Sequence, residues 1–82
     1  MIKKDLTMVE SGKSFVVKEI AGGIGSKKRL EAFGIVPGVV LKKLSSQIMR
    51  GPVVLSIKNT QVAIGYGMAK KIIVEEIGNG EG

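Results

Sequence analysis

Arg29-Leu30-Glu31-Ala32-Phe33-Gly34-Ile35-Val36-Pro37-Gly38 reads as the end of a short helix, a glycine stop and a prolyl turn that delivers the chain into Val39-Val40-Leu41. The order of residue types carries the reading. Gly34 stands where the chain leaves the helix with positive φ, Ile35 folds back as the apolar partner of that cap, and Pro37 forbids continuation. Pro37-Gly38 then suits a tight turn with Gly38 at the position that needs φ > 0. Upstream, Ser26 is expected to cap the helix by accepting from a first-turn amide, with Leu30 and Phe33 on one face and Lys27, Lys28 and Glu31 in water. The helix so drawn spans one turn or two, and Phe33 joins Phe15 in the core.

Outward from this run the chain reads as short strands and turns. Val39 to Leu44 is apolar enough for a strand, Ser45 to Gly51 is a polar loop carrying Ile48 and Met49, and Pro52 to Ile57 is a second strand. Lys58-Asn59-Thr60 suits a tight hairpin into Val62-Ala63-Ile64, with Asn59 at the turn. Gly65-Tyr66-Gly67 breaks that strand, Met68 to Lys71 makes one helical turn, and Ile72 to Ile77 is the last strand. Toward the N-terminus, Gly22 to Gly25 is a flexible loop, and a strand runs back from about Ala21 to Lys13. Val17-Lys18-Glu19-Ile20 places two polar residues between apolar ones, so strict alternation fails and a bulge or bend is expected there. Leu6 and Val9 offer packing groups in the entry segment before the Ser11-Gly12 turn.

Five short strands, two brief helical turns and no long amphipathic helix describe an all-β chain, a small five-stranded SH3-like barrel. Its 82 residues suffice for one modest core, burying roughly 60% of the unfolded surface. Residues 1–77 are read as a single domain and residues 78–82 as a flexible C-terminal tail. No leader of charged-then-apolar type and no long apolar run appears, and the chain is expected in the cytoplasm.

Composition narrows the chemistry. The chain has no cysteine and no histidine, so thiolate nucleophiles, imidazole bases, disulfides and the usual transition-metal ligands are all missing. Met1, Met8, Met49 and Met68 are scattered and read as packing residues rather than soft-metal ligands. Glu75 and Glu76 are adjacent in a strand, face opposite ways and cannot work as an acid and base pair. The glycine loop before the helix lacks the spacing of a phosphate cradle. The expectation is therefore a non-enzymatic protein with no cofactor, no metal site and no small-molecule substrate.

Thirteen Lys and Arg against seven Asp and Glu give a formal charge of +6, which favours an anionic partner. Lys27, Lys28 and Arg29 form the densest basic run, and Ile48 and Met49 are apolar residues in a glycine-bounded loop where exposure is expected, so these five residues are the candidate partner-binding set. Lys42 and Lys43, adjacent in a strand, must point to opposite faces unless a bulge intervenes. A basic nucleic-acid-binding barrel is the second reading, although Phe15, Phe33 and Tyr66 are too few to make a stacking platform.

Arg29-Leu30 through Pro37-Gly38 resembles the signature of the ferrous iron transport protein A (FeoA) family, an Arg-Leu-x-x-φ-Gly-φ-x-Pro-Gly run entering a strand, where φ stands for an apolar residue. Leu30, Gly34, Ile35, Pro37 and Gly38 carry that block. Ala63-Ile64 followed by Ala69, Ile72 and Val74 resembles the family's closing block, and Phe15 to Gly23 its opening strand and glycine loop. Phe33 departs from the family's usual Leu or Met, and Gly65 and Gly67 flank Tyr66 where bulkier residues are common. The resemblance implies an SH3-like barrel in the bacterial cytoplasm that binds the cytoplasmic part of the transporter FeoB. In that role it supports or regulates ferrous iron uptake and meets the membrane only through the transporter.

Overall fold

The computed structural model describes residues 4–46 and 50–77. Among them the chain forms six strands in one antiparallel sheet: β1 (Lys4–Asp5), β2 (Ser14–Ile20), β3 (Val40–Ser46), β4 (Val53–Ile57), β5 (Thr60–Ile64) and β6 (Ile72–Glu76). Their order across the sheet is β1-β6-β2-β3-β4-β5. A 3-10 turn (Leu6–Met8) follows β1, helix α1 (Ile24–Ala32) joins β2 to β3, and helix α2 (Tyr66–Ala69) joins β5 to β6. The sequence reading of five strands is short by one. Lys4 and Asp5 pair with Val74 and Ile73, so the entry segment adds a two-residue strand too brief for any periodicity to show. β3 also runs to Ser46, into the stretch expected to be loop. The expected tail at residues 78–82 lies outside the described residues.

Alternation fills the core. β2 buries Phe15 and Val17, β4 buries Val53, Leu55 and Ile57, and β6 buries Ile72 and Val74, each set at every second residue. Leu6 and Val9 join the same core. The break in alternation after Val17 is a bulge: Val17 pairs with Val74 and Glu19 with Ile73, leaving Lys18 extra. Lys18 thus stays outside, 3.5 Å from Glu75. Glu76 meets Lys4 at 2.9 Å instead, so the two adjacent glutamates do separate. The β4–β5 hairpin turns on Lys58 and Asn59, both with positive φ (46° and 67°), which matches the right-handed twist of the flanking strands.

The path out of α1 follows its sequence closely. Phe33 is the C-cap, the Gly34 amide donates to Glu31 O at 2.9 Å and the Ile35 amide to Leu30 O at 3.0 Å. This is a Schellman motif, and its apolar pair is Leu30 and Ile35, both buried. Gly34 adopts φ 85°. A Cβ there would meet Ile57 Cγ2 at 3.9 Å, an ordinary contact, so backbone conformation rather than space demands glycine. Gly34→Ala is therefore expected to cost about 1–2 kcal/mol, and Gly34→Asn less, as urea unfolding would measure. Gly38 has φ 97°, and its amide donates to Val17 O at 2.7 Å, stitching the prolyl turn to β2.

Two local expectations fail at this helix. It begins at Ile24 with Gly23 as N-cap and no side-chain cap, so Ser26 lies inside the helix and does not cap it. Phe33 is 47% exposed rather than buried. The helix spans nine residues and only Leu30 is buried. Once Leu30 and Ile35 fill the space beneath the cap, Phe33 is left on the rim.

Lys43 lies inward with Leu41 and is 1% exposed, while Lys42 is in solvent. The bulge falls just after it, since Lys43 pairs with Leu55 and Ser45 with Val54. Its ammonium donates to Leu6 O at 3.1 Å, Thr7 O at 3.4 Å and Val9 O. It thereby satisfies the carbonyls at the end of the 3-10 turn, whose start is capped by Asp5 accepting from the amide and hydroxyl of Thr7. Burial pushes the Lys43 pKa down, with the Asp5 carboxylate pulling the other way.

Candidate functional site

Among the described residues, α1, the loop that leaves it and the start of β3 carry four of the six exposed large apolar side chains, the other two being Met8 and Ile77. Ile24 is 72% exposed, Val40 56% and Val36 36%, with Phe33 beside them. Clusters of exposed large apolar side chains mark interaction surfaces more often than scattered single ones do. Two grooves divide this face, and Val36 lines both.

The first groove, of about 530 Å³, runs between β2 and α1. Ile20, Ile24 and Ile35 give it apolar walls, and Lys27, Lys28, Glu19 and Glu31 line it with both signs of charge. The second, of about 540 Å³, shares Val36 with the first. Phe33 and Val40 stand at its rim, Leu41 and Ile57 below, and Lys58 is its charged residue.

The expected basic cluster is exposed, yet it is not one surface. Lys27, Lys28 and Arg29 are consecutive, so each is turned about 100° from the next around the helix axis. Lys27 and Lys28 line the first groove and Arg29 lines neither groove. Ile48 and Met49 lie outside the described residues. The motif residues hold the frame: Leu30, Ile35 and Ala69 are buried, Gly34 and Gly38 take positive φ, Pro37 lines the first groove, and Ala63 is exposed on β5.

Sequence reasoning missed Phe33, Val36, Val40 and Ile24 as surface groups. The available signal was the helix itself: Ile24, Leu30 and Ala32 are its apolar residues, too sparse for the broad stripe a core-facing helix needs. Elsewhere, Arg50 and Lys70 flank the Tyr66 ring at 6.0 and 5.9 Å, a basic neighbourhood on the far end of β5. No group of three or more acidic residues placed to hold a metal occurs among the described residues. No described helix is long and apolar enough to cross a membrane.

The family model for the FeoA domain matches residues 4–76 of the chain. The chain belongs to the FeoA family. It is 41% identical over 71 residues to a Methanocaldococcus jannaschii protein that carries the name Fe(2+) transport protein A, covering 87% of this chain and 84% of that protein. A crystal structure of an iron uptake regulatory protein, FeoA, superposes with a TM-score of 0.82 at 27% identity, over 94% of this chain and all of that one. The solution structure of FeoA from Chlorobium tepidum matches at a TM-score of 0.82 and 23% identity, over 96% of this chain and 75% of that one, a likeness of fold. The FeoA domain described here is thus a small SH3-like β-barrel of a family involved in Fe(2+) transport.

Proposed function

We propose that this FeoA domain is a cytoplasmic, non-enzymatic accessory of ferrous iron uptake that docks on the cytoplasmic part of the membrane transporter FeoB. The observation that supports this most is the coincidence, on one face of a family member, of exposed apolar side chains with Lys27 and Lys28 beside them. Fe(2+) is then the transporter's cargo, and this chain acts by contact. A docking module needs an apolar centre that excludes water and a charged rim that orients the encounter, and the α1 face supplies both.

The test is a calorimetric titration of the full chain with the purified cytoplasmic domain of FeoB. Reversing Lys27, Lys28 and Arg29 together to Glu is expected to weaken binding about tenfold or more through lost steering and rim contacts. All three are exposed, so the unfolding midpoint should barely move. Equal affinity for the triple variant would remove these three charges from the docking surface. Repeating the titration against duplex DNA across salt checks the nucleic-acid reading, which requires a steep fall of log K with log salt.

A further inference from the structure

The geometry points to a specific recognition chemistry in the second groove: it takes one bulky apolar side chain of a partner segment, and Lys58 takes a carboxylate next to that side chain. This rests on the docking reading above and names what the partner must carry. Phe33 and Val40 stand about half in water and, with Val36, line a groove that buried Leu41 and Ile57 also line. Apolar walls open to water are stabilised when a large apolar side chain replaces that water, and a central apolar anchor commonly carries most of an interface's affinity.

The charge beside the anchor is set by Lys58. It sits in the β4–β5 turn with φ 46°, is exposed, and makes no ion pair among the described residues. An unpaired ammonium at a groove mouth favours an acidic neighbour and rejects a basic one. A segment continuing across Val36 would next reach Lys27 and Lys28 in the first groove. The occupant is thus an acidic protein segment with one apolar anchor. A second copy of this chain fits poorly, because each carries +6. An anionic bilayer fits poorly as well, because Glu19 and Glu31 stand among the lysines of the adjoining groove and the surface is concave.

Two arms test this on the full chain. In the first, the FeoB cytoplasmic domain is titrated against Phe33→Ser, Phe33→Leu and Lys58→Glu, with unfolding midpoints measured alongside. Phe33→Ser and Lys58→Glu are each expected to weaken binding about tenfold or more, and Phe33→Leu to hold affinity within about threefold. In the second, the peptide acetyl-Glu-Glu-Phe-Glu-Glu-amide is added to isotope-labelled chain. Amide shifts are expected at Phe33, Val36, Val40 and Lys58, reduced in Lys58→Glu and absent when the peptide's Phe is replaced by Ser.

The outcomes separate the two readings. A FeoB complex indifferent to Phe33→Ser and Lys58→Glu overturns the groove assignment and leaves the docking reading standing. Peptide shifts confined to the groove without any FeoB complex support the groove and overturn FeoB as its partner. Shifts elsewhere, or binding to phosphatidylglycerol vesicles that Phe33→Ser abolishes, overturn the acidic-segment proposal.

Discussion

Lys43→Met is expected to lower the free energy of unfolding by about 2–4 kcal/mol, the cost of stranding buried carbonyls that one ammonium now satisfies. Methionine matches the unbranched stem of lysine as far as Cε, so packing beside the cross-strand partner Leu55 survives and the loss reports the polar contacts. Three carbonyls are affected, those of Leu6, Thr7 and Val9. The full desolvation cost of all three is not expected, since Leu6 O also accepts from the Val9 amide at 3.2 Å and Thr7 is half-exposed. Removing the buried charge itself returns part of the loss. Against a total of about 5–15 kcal/mol for a small domain, the remainder is large, and the thermal midpoint should drop on the order of 15 °C. Hydrogen exchange should quicken first in the turn at Leu6–Met8, which Lys43 ties to β3.

The same residue gives a pH signature. Its pKa is lowered on folding, so between that lowered value and the ordinary lysine value of 10.5 the unfolded chain binds a proton that the folded chain does not. Stability contributed by this group therefore rises with pH across that window, and the penalty of burying the charge is fully present below it. In Lys43→Met this rise disappears. The stability difference between the native chain and the variant should thus widen as pH climbs toward 10.5, read from urea unfolding at a series of pH values. A difference that stays constant would mean that the Lys43 pKa is the same folded and unfolded.

What was legible in the chain was what local chemistry compels. Gly34, Ile35, Pro37 and Gly38 specify a cap and a turn because each residue type is suited to its backbone position, and the structure follows that path. The Val17 to Glu19 bulge and the Lys58-Asn59 turn were readable for the same reason. Phe33 was misread because spacing from Leu30 says which face a side chain shares, not how much room lies beneath that face. With Leu30 and Ile35 already buried, the answer depended on Ile57 and Leu41, which arrive from other strands. Lys43 shows the same boundary. Alternation along β3 requires one of two adjacent lysines to turn inward, but the carbonyls that receive it lie as many as 37 residues upstream. The docking face was half legible for a similar reason: Lys27 and Lys28 were visible as charge, while the grooves beside them exist only once β2, β4 and the Gly34–Val39 loop have assembled.

Leu30→Ala is expected to cost about 2–5 kcal/mol, because it deletes the single buried side chain by which α1 holds to the barrel. Leu30 is 1% exposed and packs under the cap with Ile35. Its carbonyl accepts from both Phe33 and Ile35 amides at 3.0 Å, so side chain and backbone bind the same corner together. Ile24→Ala is the matched comparison, since Ile24 is on the same helix and mostly in water; its cost should stay within about 0.5 kcal/mol. The contrast matters for function because both grooves use α1 or its C-cap as a wall. If Leu30 alone seats the helix, Leu30→Ala should loosen Phe33 and Val36 and reduce FeoB affinity, with faster amide exchange through α1 even under conditions where the barrel stays folded. Lys27, Lys28 and Arg29 reversed to Glu should instead lower affinity with α1 exchange unchanged. A Leu30→Ala cost below about 1 kcal/mol would show that the Schellman hydrogen bonds, rather than the buried side chain, keep the helix and its grooves in place.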